Sequence, residues 1–465
     1  MRRSLALAAI ALLLPAAARA EDGVSRERVE ALERRNAELE VHNQDLERRL
    51  AGLETRERER ARNEEEHALG APLADWARRV RLGGSANVGY YRGSDESPFQ
   101  DTGFDVWDAR FFLDADLGRD VAVGSTPIAR NVGFSFEWNL VRQGEVQSDF
   151  GSTQVGETYV EVQGIGGTSW ANAQMGRFQI PVGENYLRFS KGYRDNPFIT
   201  NTVGGPWWWD EGVRVYGSGF EGRAGYVASI SDGETEFDVD TSREPQLTLK
   251  LWARPLPWLY ASVSGLRGGE VGDASARGNG ALWLGETWAT PVGSMGSRPV
   301  YQNGVAVADG PNRIDSTALL AADVVLTHER FGRLWLGGGR YSIDAAGSAS
   351  YDRTLWYWIA EWVLGGGAFA PELSPFYLAL RANGLGTYDQ DEGYLLDVSQ
   401  VGRVGYNADA LSAYSIALGW HLTRFATLRI EYTRQTESLV DGVPRWIRND
   451  AADTDLFGVE LGAAF

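Results

Sequence analysis

From Asp75 to its last residue this chain repeats one pattern: every second side chain is apolar and the side chains between are polar. In Trp107–Leu117, WDARFFLDADL, the residues Asp108, Arg110, Asp114 and Asp116 fall on one side. Ala109, Phe111, Leu113, Ala115 and Leu117 fall on the other. The alternation returns in Val132–Leu140, Leu247–Ala253, Phe376–Ala382 and Ala426–Tyr432. A period of two marks an extended strand with one apolar face. Sixteen strands are predicted, beginning near Arg81, Val106, Asn131, Glu157, Trp170, Gly212, Arg223, Gln246, Trp258, Ser316, Arg333, Arg353, Pro375, Ala410, Phe425 and Asp455. The last, DLFGVELGAAF, sets Phe457, Val459, Leu461, Ala463 and Phe465 on one face and ends on a bare aromatic. Chain ends usually fray into polar residues, so this apolar face must be covered by something.

Two architectures can cover it. A soluble sandwich or propeller packs each apolar face on another layer. A closed barrel in an outer membrane turns that face to lipid and keeps polar residues for its lumen. The connections decide between them. Short links, such as Phe220–Gly222, Arg254–Pro257 and His421–Thr423, alternate with long polar ones. The long ones run Pro181–Glu211, Asp232–Pro245, Arg267–Asp315, Gly384–Ala408 and Gln435–Thr454. One rim is then plain and the other elaborated, as in outer-membrane barrels. Tyr90, Tyr91, Trp258, Tyr341, Trp420 and Tyr432 lie near strand ends, where interfacial aromatic girdles belong. The expected fold is all-β: a transmembrane antiparallel β-barrel of sixteen strands, with the terminal strand closing on the first and Phe465 facing lipid.

The N-terminus differs. Arg2 and Arg3 precede an apolar run from Leu5 to Leu14, and Ala18-Arg19-Ala20 has the small-x-small form of a signal-peptidase site. Residues 1–20 are therefore expected to be a signal peptide. From Glu21 to Gly70, Leu32, Leu39, Leu46 and Leu53 recur every seven residues, with Val29, Asn36, Asn43 and Leu50 three positions before each. This seam predicts a short α-helical coiled coil over 21–70, the alternative being a lone solvated helix. Gly70, Ala71 and Pro72 break it, and the barrel follows over 75–465. The expected location is the outer membrane, with the coiled coil in the periplasm. The chain has no cysteine, so disulfides and thiolate chemistry are unavailable. A net charge of -18 argues against a nucleic-acid partner.

GRFQIPVGENYLRFSKGYRDNPF, Gly176–Phe198, resembles the Gly-Arg-Phe-x-x-Pro-x-Gly signature of the phosphate-selective porin O/P family. WDARFFLDADL and WDEGVRVYG (Trp209–Gly217) are similar to its neighbouring strands. The resemblance implies a sixteen-strand barrel, a homotrimer, and a third external loop folded into the pore. Here that loop is Pro181–Glu211. It places Glu184, Arg188, Lys191, Arg194 and Asp195 at the constriction, and Arg110, Arg177, Arg214, Lys250, Arg381 and Arg429 as inward bases of the wall. Expected partners are membrane lipid, lipopolysaccharide and small hydrophilic solutes or ions.

The charge balance departs from the phosphate-specific members, whose pores carry a lysine cluster. This chain has two lysines, and beyond residue 70 it carries 32 basic and 48 acidic residues. Asp108, Asp114, Asp116, Glu137, Glu157, Glu161, Asp323, Glu361, Glu431 and Glu460 are expected to interleave with the inward bases, so a general diffusion pore is favoured over a phosphate or anion channel. An adhesin or a barrel enzyme would be the alternatives of another class. No cofactor, metal site or catalytic set is predicted. GSGFEG (Gly217–Gly222) matches a dinucleotide fingerprint in letters, but a strand pattern follows it where a helix is needed. His42, His67, His328 and His421 are too scattered for a ligand set. The acidic runs from Ser231 and Asp389 lack the full calcium-loop pattern. Trp207–Asp210, WWWD, can offer a stacking surface or pin a loop to the wall.

Overall fold

The computed structural model describes residues 78–93, 102–142, 145–146, 155–188, 196–203, 209–233, 244–268, 298–302, 305–310, 313–346, 353–387, 394–395, 407–439 and 453–465. The expected signal peptide and coiled coil lie outside these. Among the described residues sixteen long strands build one closed sheet; two two-residue strands, Glu145–Val146 and Tyr394–Leu395, add to it, and Arg298–Gln302 and Val305–Gly310 form a separate hairpin. The first six are β1 (Val80–Gly93), β2 (Gly103–Val123), β3 (Thr126–Arg142), β4 (Val155–Gln163), β5 (Asn172–Gln179) and β6 (Trp209–Gly219). Then come β7 (Ala224–Ser231), β8 (Gln246–Leu256), β9 (Leu259–Gly268), β10 (Arg313–His328) and β11 (Gly332–Ala346). The rest are β12 (Arg353–Gly365), β13 (Phe376–Thr387), β14 (Asn407–Thr423), β15 (Ala426–Leu439) and β16 (Thr454–Ala464). Each pairs antiparallel with the next, and β16 pairs with β1, so the sheet is a closed barrel within one chain. A barrel shared among several chains, as the adhesin alternative requires, is thereby removed.

The two faces are inverted relative to a soluble protein. Along β8, Leu247, Leu249 and Leu251 are 51%, 49% and 48% exposed, while Gln246, Thr248 and Lys250 between them are buried. The same holds on β16, where Phe457 and Leu461 face out and Thr454 and Glu460 face in. An apolar surface running round the outside fits lipid. It would be an aggregation hazard in water.

The predicted strand starts agree to within five residues, but the strands run longer than the alternation suggested. Arg254–Leu256 and His421–Thr423 belong to strands, and the turns tighten to Pro257–Trp258 and Arg424–Phe425. The GSGFEG decoy is a hairpin turn between β6 and β7, with Phe220, Glu221 and Gly222 all at positive φ (52°, 57° and 77°). Two of the six girdle aromatics are corrected: Tyr91 and Tyr341 are buried in the lumen, whereas Trp258, Trp420 and Tyr432 are exposed. Tyr90 and Tyr91 are neighbours, and a strand sends neighbours to opposite faces.

The closing seam pairs Ser85–Gly93 with Leu456–Ala464 and ends at the last residue. Gly84 donates to Phe465 O and accepts from Phe465 N–H, both at 3.0 Å. The Phe465 ring lies over Gly84, where a Cβ would approach it to 2.8 Å. We expect Gly84→Val to weaken this seam by about 1–3 kcal/mol through overpacking. The check is the urea midpoint at which the heat-modifiable, folded band is lost from gels.

Candidate functional site

The lumen is defined by what the third long loop does after β5. Backbone turning begins within the signature block: Val182 N–H donates to Ile180 O across a three-residue turn (2.9 Å), and Gly183 takes φ +65°. Ile180 and Val182 stay buried, so the chain bends inward. Gly183 N–H then donates to Ser264 Oγ on β9 (2.8 Å), and Lys250 Nζ on β8 donates to Gly183 O (2.6 Å). Lys250 also pairs with Glu184 at 2.7 Å, while Ser262 (2.8 Å) and Tyr260 donate hydroxyls to that carboxylate. One end of the loop is thus fixed to the β8–β9 wall.

The other end is fixed about six strands further round. Asn196 Oδ1 accepts from Phe198 N–H (3.2 Å) and its amide donates to Thr200 O (3.0 Å), folding Asn196–Thr200 into a local turn. Glu431 on β15 accepts from Thr200 N–H (3.1 Å), from Ile199 N–H and from the Thr200 hydroxyl. On β13, Tyr377 donates to Pro197 O and Arg381 to Thr200 O, both at 3.0 Å; Asn383 accepts from Val203 N–H at 2.5 Å. Phe198 packs on Tyr377, Ala379 and Ala417, and Ile199 on Tyr91 and Leu456. Ala379, Ala417, Glu431, Gly458 and Tyr91 are successive cross-strand partners from β13 to β1. The loop segment therefore docks along one continuous row of the sheet. Gly458 in that row is required by packing, since a Cβ there would meet Ile199 at 2.8 Å.

All six bases predicted for the wall are held by neighbours. Arg110 bridges Asp108 (3.0 Å) and Glu137 (2.8 Å). Arg177 pairs with Glu211 at 2.6 Å, and Arg429 with Glu460 at 3.1 Å. Lys250 is held by Glu184 as above. Arg214 donates to Gln174 (2.6 Å) and to Gln179 O (3.0 Å), over the Phe178 ring. The Arg381 guanidinium stands 4.2 Å from the Phe198 ring. Opposite charges at such distances leave little long-range field in salt water.

Of the five residues predicted for the constriction, Glu184 lies on the β8–β9 anchor rather than standing alone in the lumen. Arg188 closes the short 3-10 turn Asn185–Arg188, and its side chain is outside the described residues. Lys191, Arg194 and Asp195 also lie outside them. Trp209 of the WWWD run is 1% exposed, with Arg177 6.0 Å from its ring, so it packs and presents no stacking face; Trp207 and Trp208 lie outside the described residues.

Sequence reasoning did not find the far anchor. Its one local signal is the Asn196-Pro197 turn dipeptide; the partners Tyr377, Arg381, Asn383 and Glu431 lie about 180–230 positions downstream.

No family model and no curated protein matches this chain, so the phosphate-selective signature stands without a wider match. Solved structures do match. The outer-membrane channel DcaP of Acinetobacter baumannii aligns over 83% of this chain and 97% of its own, with 12% identity and a TM-score of 0.51. OprB of Pseudomonas putida aligns over 84% and 95%, with 13% identity and a TM-score of 0.50. An anion-selective porin from Comamonas acidovorans aligns over 83% and 99%, with 10% identity and a TM-score of 0.50. At these identities the likeness is one of fold. The chain has the sixteen-strand fold of outer-membrane porins.

Glu431→Ala would remove the acceptor of three loop donors, a loss of about 3 kcal/mol for a charged acceptor in a buried site. We expect the 196–203 segment to leave the wall while the barrel stays closed. Hydrogen exchange at Ile199 and Thr200 should rise at least tenfold, with the folded gel mobility retained.

Proposed function

We propose that this protein is an outer-membrane porin, passing small hydrophilic solutes and ions by passive diffusion through a water-filled lumen narrowed by its third loop. One observation carries this: a closed barrel, apolar outside and polar inside, with a loop tied to two well-separated parts of its inner wall. In this reading the long-loop rim faces the medium and the short-turn rim the periplasm. Residues 1–20 are a cleaved signal, 21–70 form a periplasmic coiled coil, and the protein assembles as a homotrimer. Lipopolysaccharide and membrane lipid surround the barrel. Glu184, Arg188, Lys191, Arg194 and Asp195 contribute to the narrow zone, and Arg110, Arg177, Arg214, Lys250, Arg381 and Arg429 line the wall.

Weak ion selectivity is the reading the ion pairs favour. A phosphate-selective path needs bases left open along the lumen to replace an anion's hydration. Here four of the six wall bases face carboxylates at 3.1 Å or less. Two facts support the anion-selective alternative: Arg188, Lys191 and Arg194 are grouped in the loop, and a porin of this fold from Comamonas acidovorans is anion-selective.

Planar-bilayer recording separates the two. We expect ohmic chloride conductance, reversal potentials near those of an unselective pore, and little block by millimolar phosphate. Strong phosphate block relieved by Lys191→Glu would establish the anion channel instead. Absence of any conductance from folded protein would remove the porin reading.

The assembly has its own test. Replacing both Leu39 and Leu46 with Asn puts polar groups into the seam. The trimer's heat-dissociation temperature should fall while single-channel conductance remains unchanged; native mass measurement showing only monomers for the unaltered chain would contradict the trimer.

A further inference from the structure

Beneath the first anchor, at the short-turn rim, the lumen holds a cavity of about 510 Å³. Glu184, Tyr186 and Leu187 cover it, and its wall is the rim-side part of β7 to β11. Trp252 forms part of that wall. Its cross-strand partner is Gly225, and a Cβ there would meet the indole at 2.5 Å, so the ring lies down over the neighbouring strand. Tyr260 is stacked beside it, with centroids 6.2 Å apart and planes at 25°. The Arg254 guanidinium stands 5.9 Å from the first ring and 5.7 Å from the second.

Among the described residues four charged side chains line this cavity: Glu184, Lys250, Arg254 and Arg333. Glu184 and Lys250 neutralise each other at 2.7 Å, and Arg333 lies 3.5 Å from Glu361. Arg254 is exposed and enters no ion pair among the described residues. Among the described residues the cavity therefore offers one open cation next to a flat aromatic surface.

We propose that this cavity is a binding station for small organic monocarboxylates that carry a planar ring. The ring would lie on Trp252 and Tyr260, and the carboxylate would pair with Arg254. Planar carboxylates are the groups that a guanidinium fork matches geometrically. Inorganic phosphate has no face to lay on the rings, and a neutral sugar leaves Arg254 unpaired. A dianion would bring a second charge that no open cation among the described residues meets. Binding should be weak, on the order of millimolar, because a diffusing solute must also leave. The proposal rests on the porin reading for its transport meaning, though the site itself can be tested without it.

Benzoate is the probe, with acetate, cyclohexanecarboxylate and inorganic phosphate as comparisons. In bilayers holding the full chain, benzoate should block the chloride current at millimolar concentration and act more strongly from the short-turn side. Acetate, cyclohexanecarboxylate and phosphate should each need at least about fivefold more, a discrimination typical of one lost contact. Arg254→Gln and Trp252→Leu should each raise the half-blocking benzoate concentration at least fivefold, scaled to each variant's own current. Arg254→Lys should keep part of the effect. Equal block by benzoate and acetate, or block untouched by either substitution, would overturn the site. Stronger block by phosphate than by benzoate would show that charge alone is read, and would overturn the ring requirement. Calorimetric titration of benzoate into detergent-folded protein measures the site apart from conduction. Binding lost in Arg254→Gln without any channel current would sink the porin reading and leave the site standing; no binding to the unaltered protein would sink the site.

Discussion

Every backbone polar group in a lipid-facing wall must find its partner inside the wall, because the hydrocarbon offers none. The rest of this structure depends on that requirement. An open sheet of sixteen strands would leave two edges unpaired, so the first and last strands have to meet. They meet at the end of the chain, where Phe465 and Gly84 exchange two backbone hydrogen bonds. The glycine leaves space for the aromatic ring that ends the chain. The terminal phenylalanine, anomalous for a chain end in water, is therefore part of the closure.

Closing the barrel creates a second requirement. Its inward face is polar and charged, and an ordered loop lying against it must match that face group by group. Each anchor does so with a buried charge: Lys250 and Glu184 at one end, Glu431 and Arg381 at the other. Removing one partner of such a set leaves the other charged and uncompensated, which is why these sites are sensitive to single substitutions. The apolar residues Phe198 and Ile199 are buried inside the lumen among these polar partners. Inside this barrel, loop docking is small-scale protein packing carried out on a polar surface.

The barrel was legible in the sequence because a single local rule, alternation, acts on every strand. That rule gave the strand number, the outward face of β16 and the inward acids Glu431 and Glu460. The girdle assignment, made from position near strand ends and not from parity, gave the wrong face for Tyr91 and Tyr341, because a residue can suit a girdle by height and still point inward. The candidate site was legible only in part. The inward bases came from the same parity rule, but the loop's attachments pair residues about two hundred positions apart, for example Thr200 with Glu431. Nothing local to Glu431 distinguishes a carboxylate that anchors a loop from one that faces open lumen. The Trp252, Arg254 and Tyr260 group was hidden for a related reason. Its two rings come from adjacent strands, and its geometry depends on Gly225, a third strand's missing side chain.

The double attachment of the third loop also has a mechanical side. A closed sheet is stiff along its hydrogen-bonded strands but soft against flattening, since each hinge between neighbouring strands can open a little. A bilayer presses on such a tube from all sides, and thermal motion makes its cross-section breathe toward an ellipse. At its far attachment the segment 196–203 is hydrogen-bonded to β13 and to β15 and packs on β1, so it lies across the hinges between those strands like a splint across staves. Flattening that bends this part of the wall has to stretch those charged hydrogen bonds, which stiffens one arc of the circumference.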